Sequence, residues 1–190
     1  MNNLGNWLGT RFKRTGLIDD LNHAVDVASS VVDATPQDHI DRVTILNNLG
    51  NKLGTQFEWT GSMDDLNGAV DVTSSAVDAM PQDYLARAGW LNNLGNWLSM
   101  RFERTGLIED LNHAVNVASS AVDTTPQDHP GRASRLSNLG NKLGMQFKRT
   151  GSMNNLKRAV NIASSAVNTT PQDHPDRAAI LNNLGNLLST

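Results

Sequence analysis

The sequence predicts an all-α solenoid of antiparallel helical hairpins, and three observations carry that prediction. First, the motif Asn-Asn-Leu-Gly-Asn at Asn2–Asn6 returns at Asn47–Asn51, Asn92–Asn96, Ser137–Asn141 and Asn182–Asn186, so that Gly5, Gly50, Gly95, Gly140 and Gly185 are each 45 residues apart. Second, Thr-Gly pairs ending at Gly16, Gly61, Gly106 and Gly151, and Pro-Gln-Asp at Pro36, Pro81, Pro126 and Pro171, keep the same step. A fixed period in this range marks one supersecondary unit stacked on copies of itself. Third, apolar residues inside each unit recur at helical spacing, as an amphipathic helix requires.

Residues 1–14 place Met1, Leu4, Gly5, Leu8 and Phe12 on one stripe and Asn2, Asn3, Asn6 and Arg11 off it. Thr15-Gly16 ends that helix. Leu21, Ala24, Val25, Ala28, Val31 and Val32 trace a second stripe to about Asp33, which completes a hairpin. The Pro-containing connector ATPQDH follows, and Asp38 with Asp41 reads as an N-cap and first-turn acid for the next helix. In repeats two and four, Ser62 and Ser152 read as N-caps of the second helix, whereas repeats one and three carry Leu17 and Leu107 there. Other positions alternate in the same way: Trp7 matches Trp97 while Lys52 matches Lys142, and Arg11 matches Arg101 while Gln56 matches Gln146. A 90-residue double unit underlies the alternation. The chain is expected to be one solenoid over residues 1–190, with a partial first helix at 1–14 and a partial last repeat at 175–190. Neither end reads as a polar capping repeat, so a longer array and apolar surface at both ends are expected.

Mid-helix glycine costs about 1 kcal/mol relative to alanine, so five copies need a structural reason. Gly5 and its copies, with small residues four positions on at Gly9, Gly54, Ser99, Gly144 and Ser189, form a flat strip on the first helix. Ala24, Ala69, Ala114 and Ala159 supply a matching small face on the second, so close helix approach is expected.

Composition narrows the function classes. With 38% hydrophobic residues and a net charge of −3, the 190-residue chain reads as a soluble globular protein. No Lys/Arg cluster stands out, and a pI near 5.9 lacks the electrostatic footprint of a nucleic-acid binder. Cysteine is absent, which excludes disulfides and Cys-ligated zinc and fits a reducing compartment. No signal peptide or membrane-length apolar run occurs, so a cytoplasmic location and no membrane partner are expected.

The Leu49-Gly50, Ala69 and Pro81 positions resemble the tetratricopeptide repeat (TPR), with the family's spacing from alanine to proline. Leu46 and Leu53 stand in place of its two aromatics, Thr73 in place of its Phe, and 11 residues are added to its 34. Asp173–Asn186 is similar to kinesin light chain repeats, and Arg101–Gly106 is similar to long fungal TPR arrays that accompany nucleotide-binding signalling or CHAT peptidase domains. The resemblance implies a right-handed TPR-like α-solenoid that serves as a protein-interaction scaffold.

No catalytic constellation is present: no HExxH, no Gly-rich phosphate loop, no glycine elbow at the repeated Ser-Ser pairs. The chain is read as a non-enzyme without cofactors or metals. His39, His129 and His174 recur, but a repeat step of roughly 10 Å is too long for shared coordination. The polar rows carry the functional reading. Asn3, Asn48, Asn93, Asn138 and Asn183 form one row, and Asn6, Asn51, Asn96, Asn141 and Asn186 form a second, three residues on. The first row resembles the asparagine ladder with which O-linked N-acetylglucosamine transferase holds an extended peptide. A side-chain amide is both donor and acceptor and can satisfy a peptide unit whatever its side chain. The alternative is that these amides bond to neighbouring helices and set repeat register. Trp7 and Trp97, beside them, are expected to pack as core. Two other readings stand beside the peptide groove: an oligomerising array whose ends stack, and a regulatory segment of a larger signalling or CHAT-peptidase protein.

Overall fold

The computed structural model describes residues 2–81, 84 and 86–189, without the side chains of Asn2 and Asn3, and its regular structure is all helical. The helices are α1 (Asn2–Thr15), α2 (Ile18–Ala34), α3 (Arg42–Thr60), α4 (Met63–Asp78), α5 (Arg87–Thr105), α6 (Ile108–Asp123), α7 (Arg132–Thr150), α8 (Met153–Thr169) and α9 (Arg177–Leu188). Odd-numbered helices are the first helices of each repeat, and each of α1, α3, α5 and α7 packs against the helix that follows it. No described helix is long and apolar enough to cross a membrane.

The chain divides into two compact units, Met1–Tyr84 and Leu85–Thr190. In the first, α2 packs on α3, and Val25, Ala28 and Leu49 form the centre of a core with Val32, Leu53 and Val72. In the second, α6 packs on α7 and α8 on α9, around Val115, Leu136, Leu139, Leu143, Ala163 and Ile180. Fully buried leucines such as Leu66 and Leu111 each contribute roughly 1.5–3 kcal/mol.

The Thr-Gly pairs close each hairpin by one device. Gly16, Gly61, Gly106 and Gly151 have φ between 69° and 73°, a left-handed conformation that glycine adopts without penalty. Their N–H groups donate to the carbonyls of Phe12, Phe57, Phe102 and Phe147 at 2.7–2.8 Å. The threonine before each glycine also bridges the turn: Thr15 Oγ1 donates to the Arg11 carbonyl at 2.9 Å and accepts the Leu17 N–H at 3.3 Å. Thr60, Thr105 and Thr150 repeat that pair of bonds.

The small strip on the first helix meets the second helix as its residue sizes predict. Ala24, Ala69, Ala114 and Ala159 are fully buried. A Cβ added at Gly50, Gly95 or Gly140 would lie 3.4 Å from the carbonyl oxygen of Ala69, Ala114 or Ala159. At Gly50 it would also lie 2.2 Å from Thr73 Oγ1, so the Thr73 side chain fills the space that a larger residue would need there.

The connectors depart from the sequence reading. Asp41 occupies the N-cap position of α3 with helical backbone angles and no side-chain cap bond. His39 Nδ1 instead accepts the Asp41 N–H at 3.1 Å, and His129 and His174 accept from Gly131 and Asp176. An arginine then reaches back: Arg42 Nη1 donates to the Val32 carbonyl at 2.8 Å and to that of Thr35, covering the orphan C-terminal carbonyls of α2. Arg132 and Arg177 do the same for α6 and α8. Ser62 is the N-cap predicted, accepting the Asp65 N–H at 3.3 Å. Ser152 makes no such bond; the Asn155 N–H goes to the Ser152 carbonyl, as in a tighter first turn.

Candidate functional site

In the first unit, Asn6 is exposed and Asn48 and Asn51 are half-buried; the Asn3 side chain lies outside the described residues. In the second, Asn93, Asn96, Asn138, Asn141 and Asn183 are half-buried and Asn186 is exposed. Among the described side chains none of these asparagines is sealed in the core. The helical spacing of three residues keeps each pair on one face of its helix.

The two rows are used differently. In the second unit, Asn138 Nδ2 donates to Asn92 Oδ1 at 2.9 Å, and Asn183 Nδ2 donates to Ser137 Oγ at 3.0 Å. Both bonds join a first helix to the first helix of the preceding repeat. In the other row, Asn6 Oδ1 accepts from Lys52 Nζ at 3.2 Å and Asn96 Oδ1 from Lys142 Nζ at 2.9 Å. Four of the amides therefore hold register between repeats while keeping the Oδ1 of Asn138 and Asn183, and the Nδ2 of Asn6 and Asn96, unspent. Asn48 and Asn141 have no hydrogen-bond partner among the described residues.

The 90-residue alternation becomes a set of contacts. In odd repeats Arg11 and Arg101 clamp their own second helix through bidentate bonds to Asp20, at 2.6 Å each, and to Asp110, at 2.9 and 2.7 Å. The Arg11 guanidinium holds the Asp20 carboxyl below its ordinary range. In even repeats a glutamine replaces the arginine and reaches back instead, from Gln56 to Asn22 and from Gln146 to Asn112, each at 2.7 Å. Lys52 and Lys142 reach back beside them. Their stems cross the glycine of the preceding first helix, with Cε 3.4 Å from a Cβ added at Gly5 and 3.2 Å from one at Gly95. Burial pushes the Lys142 ammonium down to about 8, against the opposing pull of Glu103. Lys52 is lowered by burial and by Lys13.

The lysine and glutamine partners were not read from the sequence, although the alternation of Lys52 with Lys142 and Gln56 with Gln146 marks one side of each; the inter-repeat bonds of Asn6, Asn96, Asn138 and Asn183 are the register role that the sequence left open as the alternative. The tryptophans divide. Trp97 is 9% exposed and packs as expected, but Trp7 is 74% exposed, because the described helices leave uncovered the side of α1 that also carries Leu4. Between α1 and α3 a cavity of about 280 Å³ is lined by Asn6, Thr10, Lys13, Asn51, Lys52 and Thr55, so candidates of the second row from two successive repeats open onto one space. Polar amides, hydroxyls and ammonium groups on a shallow helical face suit reversible hydrogen bonding. Among the described residues no group of three metal-binding side chains gathers.

No protein-family model and no curated protein matches the chain. Solved structures do. The nearly identical TPR-like repeats assigned to a Podosopora anserina kinesin light chain align over 98% of this chain and 84% of that one, with a TM-score of 0.70 at 17% identity. A singly substituted form of that protein gives a TM-score of 0.71 at the same identity and coverage. The DHF58 filament protein aligns over 99% of this chain and 94% of that one, with a TM-score of 0.51 at 17% identity. At such identities the likeness is one of fold, and it agrees with the 45-residue hairpins seen in each unit. The chain therefore has the fold of a TPR-like helical-repeat array.

Proposed function

We propose that this array is a protein-interaction scaffold whose first helices hold an extended peptide segment through the asparagine amides. The observation that carries the reading is that Asn6, Asn96, Asn138 and Asn183 stay accessible and keep hydrogen-bonding capacity after their register bonds are made, with Asn48 and Asn141 wholly uncommitted among the described residues. A repeat step of roughly 10 Å matches about three residues of extended chain, so one amide meets about every third peptide unit. Backbone recognition of this kind asks for length and extension more than for a particular side chain. The test selects binders from a random 12-residue peptide library and measures one selected peptide against the wild type and against Asn48→Ala/Asn141→Ala. Weaker binding with unchanged melting supports the reading, and unchanged binding refutes it.

Self-association is a second reading, favoured by Leu4 and Trp7 exposed on α1 and by Leu181 and Leu188 exposed on α9. Apolar faces of that kind associate more strongly as salt rises.

A further inference from the structure

Charge is segregated between repeats whose backbones are equivalent. Residues 129–172 contain seven Lys or Arg and no Asp or Glu, while residues 53–86 contain six Asp or Glu and no Lys or Arg. Read linearly, the basic residues form no cluster. The α7–α8 turn gathers them, bringing Lys148 and Arg149 in the last turn of α7 to the same end of the hairpin as Lys157 and Arg158 near the start of α8. All four are exposed, and none forms an ion pair among the described residues. The second repeat carries Glu58 and Asp64 at the same end of its hairpin, and Asp71 and Asp78 further along the outer face of α4; these too are exposed and outside any ion pair. Glu58 and Lys148 are a charge reversal at one repeat position, and Asp64, Asp71 and Asp78 correspond to Asn154, Asn161 and Asn168. In the first and third repeats the same region holds both signs, and Arg11–Asp20 and Arg101–Asp110 pair internally.

We propose that the basic face of the fourth repeat docks on the acidic face of the second repeat of another copy of this chain. Charge complementarity argues for that occupant: the two faces stand on equivalent hairpins, carry four charges each of opposite sign, and form no ion pair among the described residues. The contact is heterologous, so each copy keeps one free face and the association propagates into rings or open chains. It is separate from the asparagine rows and independent of the peptide reading.

Sedimentation of the full chain tests this at about 1 mM protein, the dissociation constant that four exposed pairs reach at the strong end of their range. In about 20 mM salt the weight-average mass should exceed the 20.6 kDa monomer, and in about 500 mM salt, where the Debye length is only a few ångströms, it should return to it. Reversing Lys148, Arg149, Lys157 and Arg158 to Glu should leave a monomer, and so should reversing Glu58, Asp64, Asp71 and Asp78 to Lys. Mixing the two variants should restore association, because each then offers what the other lacks. Circular dichroism checks that both remain folded. A monomer at low salt, association indifferent to salt and to both reversals, or a mixture that stays monomeric would each overturn the proposal. So would a wild type that binds heparin through the four cations while remaining monomeric itself, since the basic face would then serve a polyanion.

Discussion

Lys142→Met should make the protein more stable, although it deletes a hydrogen bond. Lys142 is 5% exposed and, among the described residues, its ammonium donates to Asn96 Oδ1, so most of its hydration is lost for one neutral acceptor and the partial offset from Glu103. Its folded pKa of about 8 lies below the unfolded value of roughly 10.4. The folded state therefore binds fewer protons between those values, and stability rises with pH across that window. The gap corresponds to about 3 kcal/mol of cost to the folded state at pH 7 and a gain of about 2 to 3 kcal/mol on going to pH 10. Methionine keeps the stem across Gly95 and removes the charge, while half-buried Asn96 can turn its oxygen to water. Urea titrations at pH 7 and pH 10 read both quantities. The variant should gain about 1–3 kcal/mol at pH 7, and the difference between wild type and variant should shrink toward pH 10. A destabilised variant, or a difference that does not change with pH, would refute the reasoning and make the Lys142–Asn96 bond a net support of the fold.

Gly50→Ala should cost about 1–3 kcal/mol through overpacking against Thr73 Oγ1, and Thr73→Ala in the same chain should recover most of it. A double-mutant cycle without coupling would mean that the helices separate rather than clash. Shortening a selected peptide from about 12 to about 6 residues should reduce affinity on the order of tenfold or more, as about half the backbone contacts go. Equal affinity of the short peptide would place recognition in one local pocket.

The period made the fold legible, because its punctuation is chemical: Phe-x-x-Thr-Gly places a left-handed glycine after each first helix, and the alanine face of the second helix packs against the glycine of the first. Local chemistry was less reliable where neighbours decide. Trp7 and Trp97 share the Gly-Asn-Trp-Leu sequence and differ in exposure because packing, not sequence, covers them. Ser62 and Ser152 share their motif, yet one caps and the other does not. The candidate asparagines were visible as rows, but their register bonds run to residues 46 positions away, which no helix-period reading connects. The charge segregation between repeats is legible in the sequence, and what the α7–α8 turn adds is to bring Lys148 and Arg149 to the same end of the hairpin as Lys157 and Arg158.

The peptide reading is tested most directly by the affinity of one library-selected 12-residue peptide for wild type and for Asn48→Ala/Asn141→Ala, with melting followed in parallel. These two amides have no internal partner among the described residues, so their loss should leave the melting temperature within about 2 °C of wild type. Each contributes about 1 kcal/mol to a backbone contact, and the double variant should bind about 30-fold more weakly. Unchanged affinity would contradict the asparagine groove, and weaker binding accompanied by a large fall in melting would assign the amides to the fold instead.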